Sequence, residues 1–559
     1  MKPQAQAQGE ASPRDRGWWH DPESGNWPLA GLALLLTAQF TLIFTRAVNW
    51  DEFYFYHQVA AFGEGQLDSA LQTLNTRLFF WLPGLFETSV DHILAARVTM
   101  YACQLVTLAA IYLLARRFAD RITALLCPLL YLSAGYVLQH GFSFRVDPMV
   151  TALLMSALAV LARSRLDTKG IIAFGLLAGI AGMVTIKAVL YLPAFAGIAL
   201  MRLQEDGWRA QTWLRLTVCG ATALAVFAAI YAWHSAAVTQ ATGAGEVSNR
   251  LLDESASWMF FLGIPPYWNM GVKAAMFAPI LLACALATPF LLWRSDRPLA
   301  EKIGLTGLWL PLLTPFYYMN TAGYFYVYML APLATSCLVA LGWARTRFAP
   351  MLIAVALVSI ACGIFLLEDR STIDRQRQLE RNVHEIFPEP VTYFDHNFML
   401  GAWPKANGFM TPWLMNIYRS GGRDDYRAAM ERDTVPLLLA NWWTLRVMMD
   451  GSDDTLLSPA DNAALRENYV EFAPFIFVAG KIVDGVAVQQ EEFLVPGPYT
   501  VEGATIVIDG VRHAPGAIVS IDRGMHMLSA PDGSARLVWG RGLKRPSEPL
   551  TPGPLYVGF

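Results

Sequence analysis

The chain of 559 residues is 55% hydrophobic and only 16% charged, with a mean hydropathy of +0.36 and a formal net charge of -3. Soluble proteins carry about 25% charged residues, so this composition indicates a protein built largely for lipid. The net charge gives no sign of nucleic-acid binding, and no nucleic-acid partner is expected. None of the cysteines follows Cys362, which excludes a disulfide framework or a cysteine-based metal site in the C-terminal third.

Residues 1–26 are polar and are predicted to form a disordered cytoplasmic tail. The first apolar segment has no clear small-x-small cleavage site and is longer than the apolar part of a signal peptide, which indicates a membrane anchor. A membrane helix needs about 20 mostly apolar residues. The predicted spans lie near 27–46, 92–115, 121–138, 147–163, 170–186, 188–201, 213–233, 271–293, 303–319, 323–343 and 349–367.

Basic residues mark every second connection between these segments. Because basic connections face the cytoplasm, the alternation predicts a cytoplasmic N-terminus and an external C-terminus, provided that the short segments over 170–201 cross as a pair. We expect a multi-pass protein of a bacterial inner membrane with a periplasmic C-terminal part. The basic clusters are Arg116, Arg117 and Arg121, then Arg163, Arg165 and Lys169, then Arg202, Arg209 and Arg215, then Arg294, Arg297 and Lys302, and finally Arg345 and Arg347.

The chain past Glu368 has the composition of a water-soluble protein and, by this topology, lies outside the membrane. Residues 27–368 are therefore predicted to form the transmembrane domain, 369–485 an α/β domain and 486–559 a β-rich domain. The elements behind this division are buried strands at 391–394 and 436–439, a helical stretch at 424–432 between them, and short strands at 504–510 and 516–521.

The segment Asn49-Trp50-Asp51-Glu52-Phe53-Tyr54-Phe55-Tyr56 follows the first apolar span. Adjacent carboxylates at a membrane edge are costly, and on the external side they suggest an enzyme that acts on a lipid-linked substrate. The structural alternative is that Asp51 caps a surface helix over 51–63 and Glu52 favours its positive end. Neighbours on such a helix point about 100° apart, so one carboxylate faces a substrate. Asp51 would share its face with Tyr54, Phe55, Gln58 and Phe62.

Two further external segments carry isolated charges. Asp147 precedes Pro148 and fits an ordinary helix N-cap, although one carboxylate oxygen can cap while the other faces a cleft. Arg145 either pairs with Asp147 or holds an anion. Lys187 lies between apolar runs without a charged sequence neighbour, so it either snorkels to lipid headgroups or binds an anion such as phosphate.

The other external loops give less specific signals. The loop 234–270, which contains Arg250, has an amphipathic stretch that fits either a mobile lid or an interfacial anchor. Tyr324 and Tyr326 flank the last external turn, where an aromatic belt is the alternative to a substrate site. The sequence contains no metal motif of recognised spacing, P-loop, G-x-S-x-G elbow or dinucleotide fingerprint.

Four segments together resemble the GT-C membrane glycosyltransferases, specifically the branch of protein O-mannosyltransferases and the lipid A aminoarabinose transferase (glycosyltransferase families 39 and 83). The similarity covers about the first 345 residues. It implies a polytopic α-helical membrane protein with a GT-C fold of about 11 transmembrane helices, followed by a soluble α/β and β-rich periplasmic part. The segments are Trp50-Asp51-Glu52, Arg145-Val146-Asp147-Pro148, Thr185-Ile186-Lys187 with Pro193, and Tyr324-Phe325-Tyr326-Val327-Tyr328-Met329-Leu330-Ala331-Pro332.

The resemblance also implies the chemistry. A polyprenyl-phosphate sugar is the expected donor, and an acceptor hydroxyl attacks its anomeric carbon and inverts the configuration. Asp51 is the expected base and Glu52 its support, while Asp147 orients the acceptor, assists as base or binds a metal. No cofactor is required, and a divalent metal, if present, is expected on Asp51 and Asp147. The expected donor-phosphate ligands are Arg77, Lys187 and Arg145, and the candidate cleft residues are Tyr54, His57, Arg250, Tyr324 and Tyr326.

This chain departs from the family pattern at two places. Relatives carry a Lys-Pro-Pro element where it has Arg77-Leu78-Phe79-Phe80-Trp81-Leu82-Pro83, and an Arg-Tyr pair where it has Gly323-Tyr324. The expected partners are the lipid bilayer, the lipid-linked donor, and a glycolipid, polysaccharide or protein acceptor. One alternative is an oligosaccharide polymerase or ligase that uses a lipid pyrophosphate carrier. The other is a secondary transporter, against which the odd span count and the lack of an internal repeat argue.

Overall fold

The computed structural model of the chain describes residues 19, 21–67, 69–238, 261, 263–408, 410–411, 415, 418–419, 426–453 and 455–558. A helical bundle fills the first two thirds, and two β-sheets with short helices follow. The bundle helices are α1 (Asn26–Thr45), α2 (Trp50–Gly63), α3 (Ser89–Ala115), α4 (Arg121–Leu132), α5 (Gly135–His140), α6 (Val146–Arg163), α7 (Thr168–Val184), α8 (Leu192–Glu205), α9 (Ala210–Val238), α10 (Trp268–Met276), α11 (Pro279–Arg294), α12 (Leu299–Trp309), α13 (Phe325–Ser336), α14 (Leu338–Arg345) and α15 (Pro350–Leu367). Short 3₁₀ helices occupy Leu74–Arg77, Ile186–Tyr191 and Leu310–Phe316.

Within the described residues, six helical segments are long and apolar enough to cross a membrane, or up to eight if each of two bent pairs is one span. The bent pairs are α10 with α11, at 102°, and α13 with α14, at 50°. α4 and α7 are shorter apolar helices. Every predicted span corresponds to one of these helices or bent pairs, or to α12 together with the 3₁₀ helix Leu310–Phe316 that follows it. The polytopic helical fold is thus confirmed, while the number of eleven crossings stays a prediction.

The sharpest of these bends has a local cause. The break between α10 and α11 falls at Phe277 and Ala278, directly before Pro279 at the first position of α11. Proline restricts the residue before it to extended conformations, so a helix seldom continues through that position. The chain therefore turns there and starts a new helix.

The centre of the bundle is α13, in which every residue from Phe325 to Ser336 is buried. It packs against α3, α4 and α6, and α6 is itself mostly buried. By contrast, α9 turns most of its surface outward, as expected of a helix that faces lipid. The N-terminal ends of α6 and α13 and the 3₁₀ helix Ile186–Tyr191 meet beside α2.

The C-terminal part contains a seven-stranded sheet in the order β1-β2-β4-β11-β6-β9, with β3 also paired to β4, and a four-stranded sheet in the order β5-β10-β7-β8. β1 and β2 are parallel, with Tyr393 opposite Leu437, and the other pairs are antiparallel, with Ala535 of β11 opposite Val483 of β4. The strands are β1 (Tyr393–Phe394), β2 (Leu437–Leu439), β3 (Tyr469–Ala473), β4 (Ile476–Val483), β5 (Gln489–Phe493), β6 (Gly497–Gly503), β7 (Ile506–Ile508), β8 (Val511–His513), β9 (Ile518–Ile521), β10 (Gly524–Ser529) and β11 (Ala535–Trp539). The helices of this part are α16 (Thr372–Ile386), α17 (Arg427–Arg432), α18 (Trp443–Met449) and α19 (Pro459–Asn468).

The predicted strands and the predicted helix of the C-terminal part are all present but shorter than expected. The strands predicted at 391–394 and 436–439 are β1 and β2, and the helix is α17. The segments 504–510 and 516–521 contain β7 and β9. The larger sheet joins strands from both sides of the predicted boundary at 485, because β4 pairs with β11.

The C-terminal part packs directly on α2. Gln376 of α16 exchanges two hydrogen bonds of 2.8 Å with the backbone of Val48, just before α2. Trp50 contacts the rings of Trp442 and Tyr556, with centroids 5.4 and 6.2 Å apart. Gly401 has φ +50°, and a Cβ there would lie 2.4 Å from the ring of Tyr56, so this close approach requires glycine. One hydrophobic core therefore runs from the bundle into the C-terminal part.

Candidate active site

The first turn of α2 separates the two adjacent carboxylates. The side chain of Asn49 accepts a hydrogen bond of 3.0 Å from the backbone NH of Asp51, and the backbone NH of Asn49 donates to Glu52 at 2.9 Å. This reciprocal pair is a capping box, which satisfies the exposed donors at a helix start. Asn49, and not Asp51, is therefore the cap, and the carboxylate of Asp51 is available for other contacts.

Glu52 is committed to an ion pair inside the bundle. Its two oxygens accept from Nε and Nη2 of Arg97 at 2.8 and 2.6 Å, and both side chains are only 1% exposed. The backbone NH of Phe144 adds a hydrogen bond of 2.7 Å to Glu52. Arg97 in turn donates to the carbonyls of Ile43 and Ala47 at the end of α1. Glu52 thus joins α2 to α3 and to the segment before α6, and it faces the interior.

Asp51 belongs to a row of four charges that joins three parts of the fold. Arg145, which directly precedes α6, donates from Nη1 to Oδ2 of Asp51. Its Nε donates to Oδ2 of Asp147 at 3.2 Å, and Nζ of Lys187 donates to Oδ1 of Asp147 at 3.3 Å. Negative and positive charges therefore alternate from Asp51 through Arg145 and Asp147 to Lys187.

The exposure of these side chains differs along the row. Asp147 is 1% exposed and Arg145 6%, whereas Lys187 is 12% and Asp51 16% exposed. The two inner groups are thus more enclosed by protein than the two outer groups. Oδ1 of Asp51 makes no hydrogen bond to any described residue.

Local sequence explains how each charge is presented. Arg145 has an extended backbone, so its side chain leaves the start of α6 beside that of Asp147 in the first helical turn. The side chain of Thr185 accepts from the backbone NH of Lys187 at 3.3 Å and begins the 3₁₀ helix. The hydroxyl of Tyr328 donates to the carbonyl of Lys187 at 2.6 Å, which fixes the base of the lysine side chain.

Aromatic rings line one side of the row. The guanidinium carbon of Arg145 lies 3.4 Å from the centroid of the Tyr324 ring, and Nζ of Lys187 lies 5.4 Å from it. Phe55 of α2 lies on the other side of Arg145, at 5.6 Å. A cation over an aromatic face is stabilised by about 0.5–2 kcal/mol, more when water is excluded. Tyr324 therefore holds both cations next to the carboxylates.

The charges outside the spanning helices have perturbed acid–base properties. Burial alone would raise the pKa of Glu52, but the charge and hydrogen bonds of Arg97 outweigh it and lower the pKa. Burial alone would lower the pKa of Arg145, but the negative charges of Asp51 and Asp147 raise it. Both groups are therefore ionised at neutral pH.

Comparison with known proteins bears on the fold. Residues 77–233 match the family model of dolichyl-phosphate-mannose-protein mannosyltransferases. The crystal structure of ArnT from Cupriavidus metallidurans bound to undecaprenyl phosphate superimposes with a TM-score of 0.54 and 13% identity, over 78% of this chain and 100% of that one. The chain has the GT-C fold.

Two further solved structures are similar to this chain. The apo form of ArnT from the same organism gives a TM-score of 0.50 at 13% identity, over 74% of this chain and 93% of that one. The apo oligosaccharyltransferase of Archaeoglobus fulgidus gives 0.48 at 11% identity, over 91% of this chain and 77% of that one. No curated protein sequence matches the chain. The likeness to ArnT is thus one of fold, and the family match covers residues 77–233.

The other residues singled out from the sequence lie elsewhere in the GT-C fold. Nε of Arg77 donates to His234 at 2.8 Å, and its guanidinium stacks on Trp233 at 3.7 Å. The loop of Arg77 nevertheless reaches the neighbourhood of Lys187, because Gln72 accepts a hydrogen bond of 3.3 Å from Thr185. Among the described residues, Arg77 itself makes no ion pair with the charge row and contacts His234 and Trp233 instead.

Tyr54 and His57 face the C-terminal part and not the charge row. Their rings lie 5.8 and 4.1 Å from that of Phe398, and Nδ1 of His57 is 2.9 Å from the carbonyl of Gly401. The ring of Tyr326 packs against Tyr136 at 5.3 Å. Tyr54 shares a helix face with Asp51, yet its ring packs against Phe398 of the C-terminal part. Arg250 lies outside the described residues.

Metal binding between Asp51 and Asp147 conflicts with the observed contacts. Both carboxylates direct an oxygen at Arg145, and Lys187 takes the remaining oxygen of Asp147. In the part of the chain that the structure describes, no group of three His, Cys, Asp or Glu residues has the arrangement of a metal site. A divalent ion on both carboxylates would have to displace Arg145, and the dependence on a metal stays a prediction.

Sequence reasoning missed Arg97, the partner of Glu52. A signal for it was present, because Arg97 is an isolated charge within the apolar segment 92–115. Such a charge inside a membrane span needs a partner. Glu52 is that partner, which assigns this acid to the framework of the GT-C fold.

Proposed function

We propose that the protein is an inverting glycosyltransferase that moves a single sugar from a polyprenyl-phosphate donor to an acceptor hydroxyl on the external side of a bacterial inner membrane. The observation that carries this proposal is the row Asp51, Arg145, Asp147 and Lys187, in which cations for a phosphate adjoin a partly exposed carboxylate. The GT-C fold supplies the membrane setting in which a lipid-linked donor is available.

The donor phosphate is the natural ligand of the two cations. Arg145 and Lys187 both bind Asp147 from adjacent directions, and the aromatic ring of Tyr324 keeps them together. Preorganised cations stabilise negative charge that develops in the transition state, and arginine binds phosphate oxygens with two parallel donors. Asp147 thus acts as a positioning residue that holds Arg145 and Lys187.

Asp51 is the proposed base. The acceptor hydroxyl oxygen attacks the anomeric carbon from the face opposite the phosphate, and the bond between that carbon and the phosphate oxygen breaks. The electron pair of this bond leaves with the polyprenyl phosphate, and the hydroxyl proton passes to Asp51. Phosphate is already a good leaving group, so no general acid is required. A positioned base contributes about 10²–10⁴-fold to such a step.

The contact between Arg145 and Asp51 suggests an order of events. Arg145 donates a hydrogen bond to Asp51. A donor phosphate offers Arg145 a second anion and draws it from Asp51. Binding of the donor would therefore free the carboxylate of Asp51 for the acceptor hydroxyl.

Lipid analysis tests the proposed donor class. A strain that lacks the gene should accumulate a polyprenyl monophosphate sugar and lose one sugar from an envelope glycolipid, polysaccharide or glycoprotein. Complementation with the wild-type gene should remove the accumulated lipid. Accumulation of a polyprenyl pyrophosphate glycan instead would contradict the proposal and support a polymerase or ligase.

A further inference from the structure

A cavity lined by polar and apolar residues lies at the other end of the bundle from the charge row. It has a volume of about 580 Å³ and lies among the N-terminus of α4 and the C-terminal ends of α11 and α14. The bent pair α13–α14 begins beside Tyr324 at the charge row and ends at this cavity, so the two sites are on opposite sides of the bundle. The cavity is lined by Phe118, Asp120, Leu291, Arg294, Arg297 and Trp343, among others.

Two of the charged groups in the lining are already neutralised. The carboxylate of Asp120 accepts from the backbone NH groups of Ile122 and Thr123 at 2.9 and 3.2 Å and from Arg345 at 2.7 Å. Arg297 pairs with Glu301 at 2.7 Å. These pairs contribute little net charge to the cavity.

The charge that remains in the cavity is positive. The guanidinium of Arg294 lies 3.7 Å above the ring of Phe290 and makes no ion pair with any described residue. Arg116 donates to the carbonyl of Ala119, a lining residue, at 2.6 Å, and likewise has no carboxylate partner in the described part of the chain. An anion in the cavity would therefore meet uncompensated positive charge.

The cavity also has an apolar wall, one residue of which is partly exposed. Leu291, Leu338 and Val339 line it, and Trp343, which is 47% exposed, also lines it. Tryptophan is enriched at the level of lipid headgroups, where its ring spans the boundary between water and hydrocarbon. A ligand with an anionic head and apolar chains matches both surfaces, whereas a free inorganic anion matches the charge alone.

We propose that this cavity binds an anionic phospholipid. Its phosphate contacts Arg294, and its acyl chains run along Leu291 and Trp343. Basic pockets between transmembrane helices on the cytoplasmic side of a membrane bind such headgroups, and the basic connections of this chain are predicted to face that side. The proposal does not depend on the proposed function, because no residue of the charge row lines the cavity.

Native mass spectrometry of the full-length protein tests the site with phosphatidylglycerol and phosphatidylcholine as probes. The wild-type protein should retain phosphatidylglycerol preferentially. Arg294→Gln should reduce the bound fraction about fivefold, since one basic contact with an anionic lipid is worth about that factor. Arg165→Gln is the matched control, because Arg165 is equally exposed, lies in another basic connection and does not line the cavity.

A variant that fills the cavity without changing its charge tests whether the lipid occupies this space. Gly342 lines the cavity, and a Cβ there would meet no atom within 4 Å. Gly342→Leu should fill the space and lower phosphatidylglycerol binding without changing any charge or weakening α14.

Three results would overturn the proposal. One is equal retention of the two phospholipids by the wild-type protein. Another is unchanged phosphatidylglycerol binding in both Arg294→Gln and Gly342→Leu. The third is displacement of the lipid by inorganic phosphate, or by polyprenyl phosphate at a much lower concentration than phosphatidylglycerol, which would assign the cavity to those ligands.

Discussion

Asp51 and Glu52 are neighbours in the chain, yet their surroundings differ in almost every respect. Glu52 is 1% exposed, and its oxygens accept from Arg97, Phe144 and Asn49. Asp51 is 16% exposed and shares one cation, Arg145, with a second carboxylate. Glu52, whose two oxygens are both taken, holds the fold together, whereas Asp51 has one oxygen without a hydrogen bond to any described residue and is available for chemistry. The comparison predicts that changes at Glu52 affect stability and that changes around Asp51 affect turnover.

Among the residues around Asp51, Arg145 should have the largest effect on transfer when it is replaced by Gln. Arg145 joins Asp51 to Asp147, so its loss removes a phosphate ligand and leaves two carboxylates facing each other. Removing one partner of a buried hydrogen-bonded charge pair costs about 2–5 kcal/mol, which corresponds to about 30- to 5,000-fold in transfer rate. Arg145→Lys should restore only part of the rate, because lysine cannot bind two carboxylates with a planar fork.

The measurement for Arg145 is the initial rate of sugar transfer by purified protein. Arg381→Gln provides the control, since Arg381 is an exposed arginine of α16 that is remote from the charge row. If Arg145→Gln transfers sugar at the wild-type rate, the charge row does not take part in the reaction, and the contrast between Asp51 and Glu52 is wrong.

Glu52→Gln should instead destabilise the fold. The substitution leaves the guanidinium of Arg97 buried without its counter-charge, and breaking such a pair costs about 3–5 kcal/mol. Thermal unfolding in detergent should show a lower Tm, while the transfer rate of the fraction that stays folded should remain close to that of the wild type. Glu64→Gln, an exposed substitution at the end of α2, should leave Tm unchanged. Equal Tm values for Glu52→Gln and Glu64→Gln would contradict the framework role.

The pH dependence of stability gives a narrower test of Glu52. Its pKa in the folded protein is lowered from the usual value of 4.5, because Arg97 outweighs the effect of burial. Its contribution to stability is therefore complete above about pH 4.5 and is lost as the pH falls through the lowered value. The difference in Tm between wild type and Glu52→Gln should stay constant from pH 7 to pH 5 and shrink below pH 4.5. A difference that stays unchanged in acid would show that the charge of Glu52 does not contribute.

Substitution of Tyr324 should have the smallest effect on the transfer rate, because Tyr324 acts on the charge row through its ring. Tyr324→Leu removes the surface against which Arg145 and Lys187 lie and should lower the transfer rate about 2- to 30-fold, the range of a cation–π contact. Tyr324→Phe keeps the ring and loses the hydrogen bond of 3.0 Å to Asn320, so its rate should be close to that of the wild type. Equal losses of activity in the phenylalanine and leucine variants would contradict the role of the Tyr324 ring.

Features of the structure that depend on contacts between nearby residues could be predicted from the sequence. The helix predicted over 51–63 is present, although Asn49 and not Asp51 caps it, and of the two alternatives for Arg145 the pairing with Asp147 is observed. The long apolar segments predicted the helical bundle, which is confirmed, whereas the orientation drawn from the charge alternation and the domain boundaries stay predictions. The resemblance to the GT-C transferases in four short segments was confirmed by the fold as a whole.

Long-range contacts decide the rest of the site and could not be read from the sequence. Asp51 and Arg145 are 94 residues apart, and Asp147 and Lys187 are 40 apart, so their contacts depend on how α2, α6 and a 3₁₀ helix pack. His57 was assigned to the cleft, but residues more than 340 positions later cover its side of α2. Packing between distant segments is set by the whole core, which no local pattern records.

The most direct test of the account is single-turnover consumption of a polyprenyl-phosphate sugar by purified Asp51→Asn. The substitution keeps the shape of the side chain but removes its negative charge, and with it the ability to take a proton and the ion pair with Arg145. The account predicts that the rate falls about 10²–10⁴-fold, while Tm stays far closer to that of the wild type than in Glu52→Gln. Consumption of the donor at the wild-type rate by Asp51→Asn would contradict the assignment of Asp51 as the base.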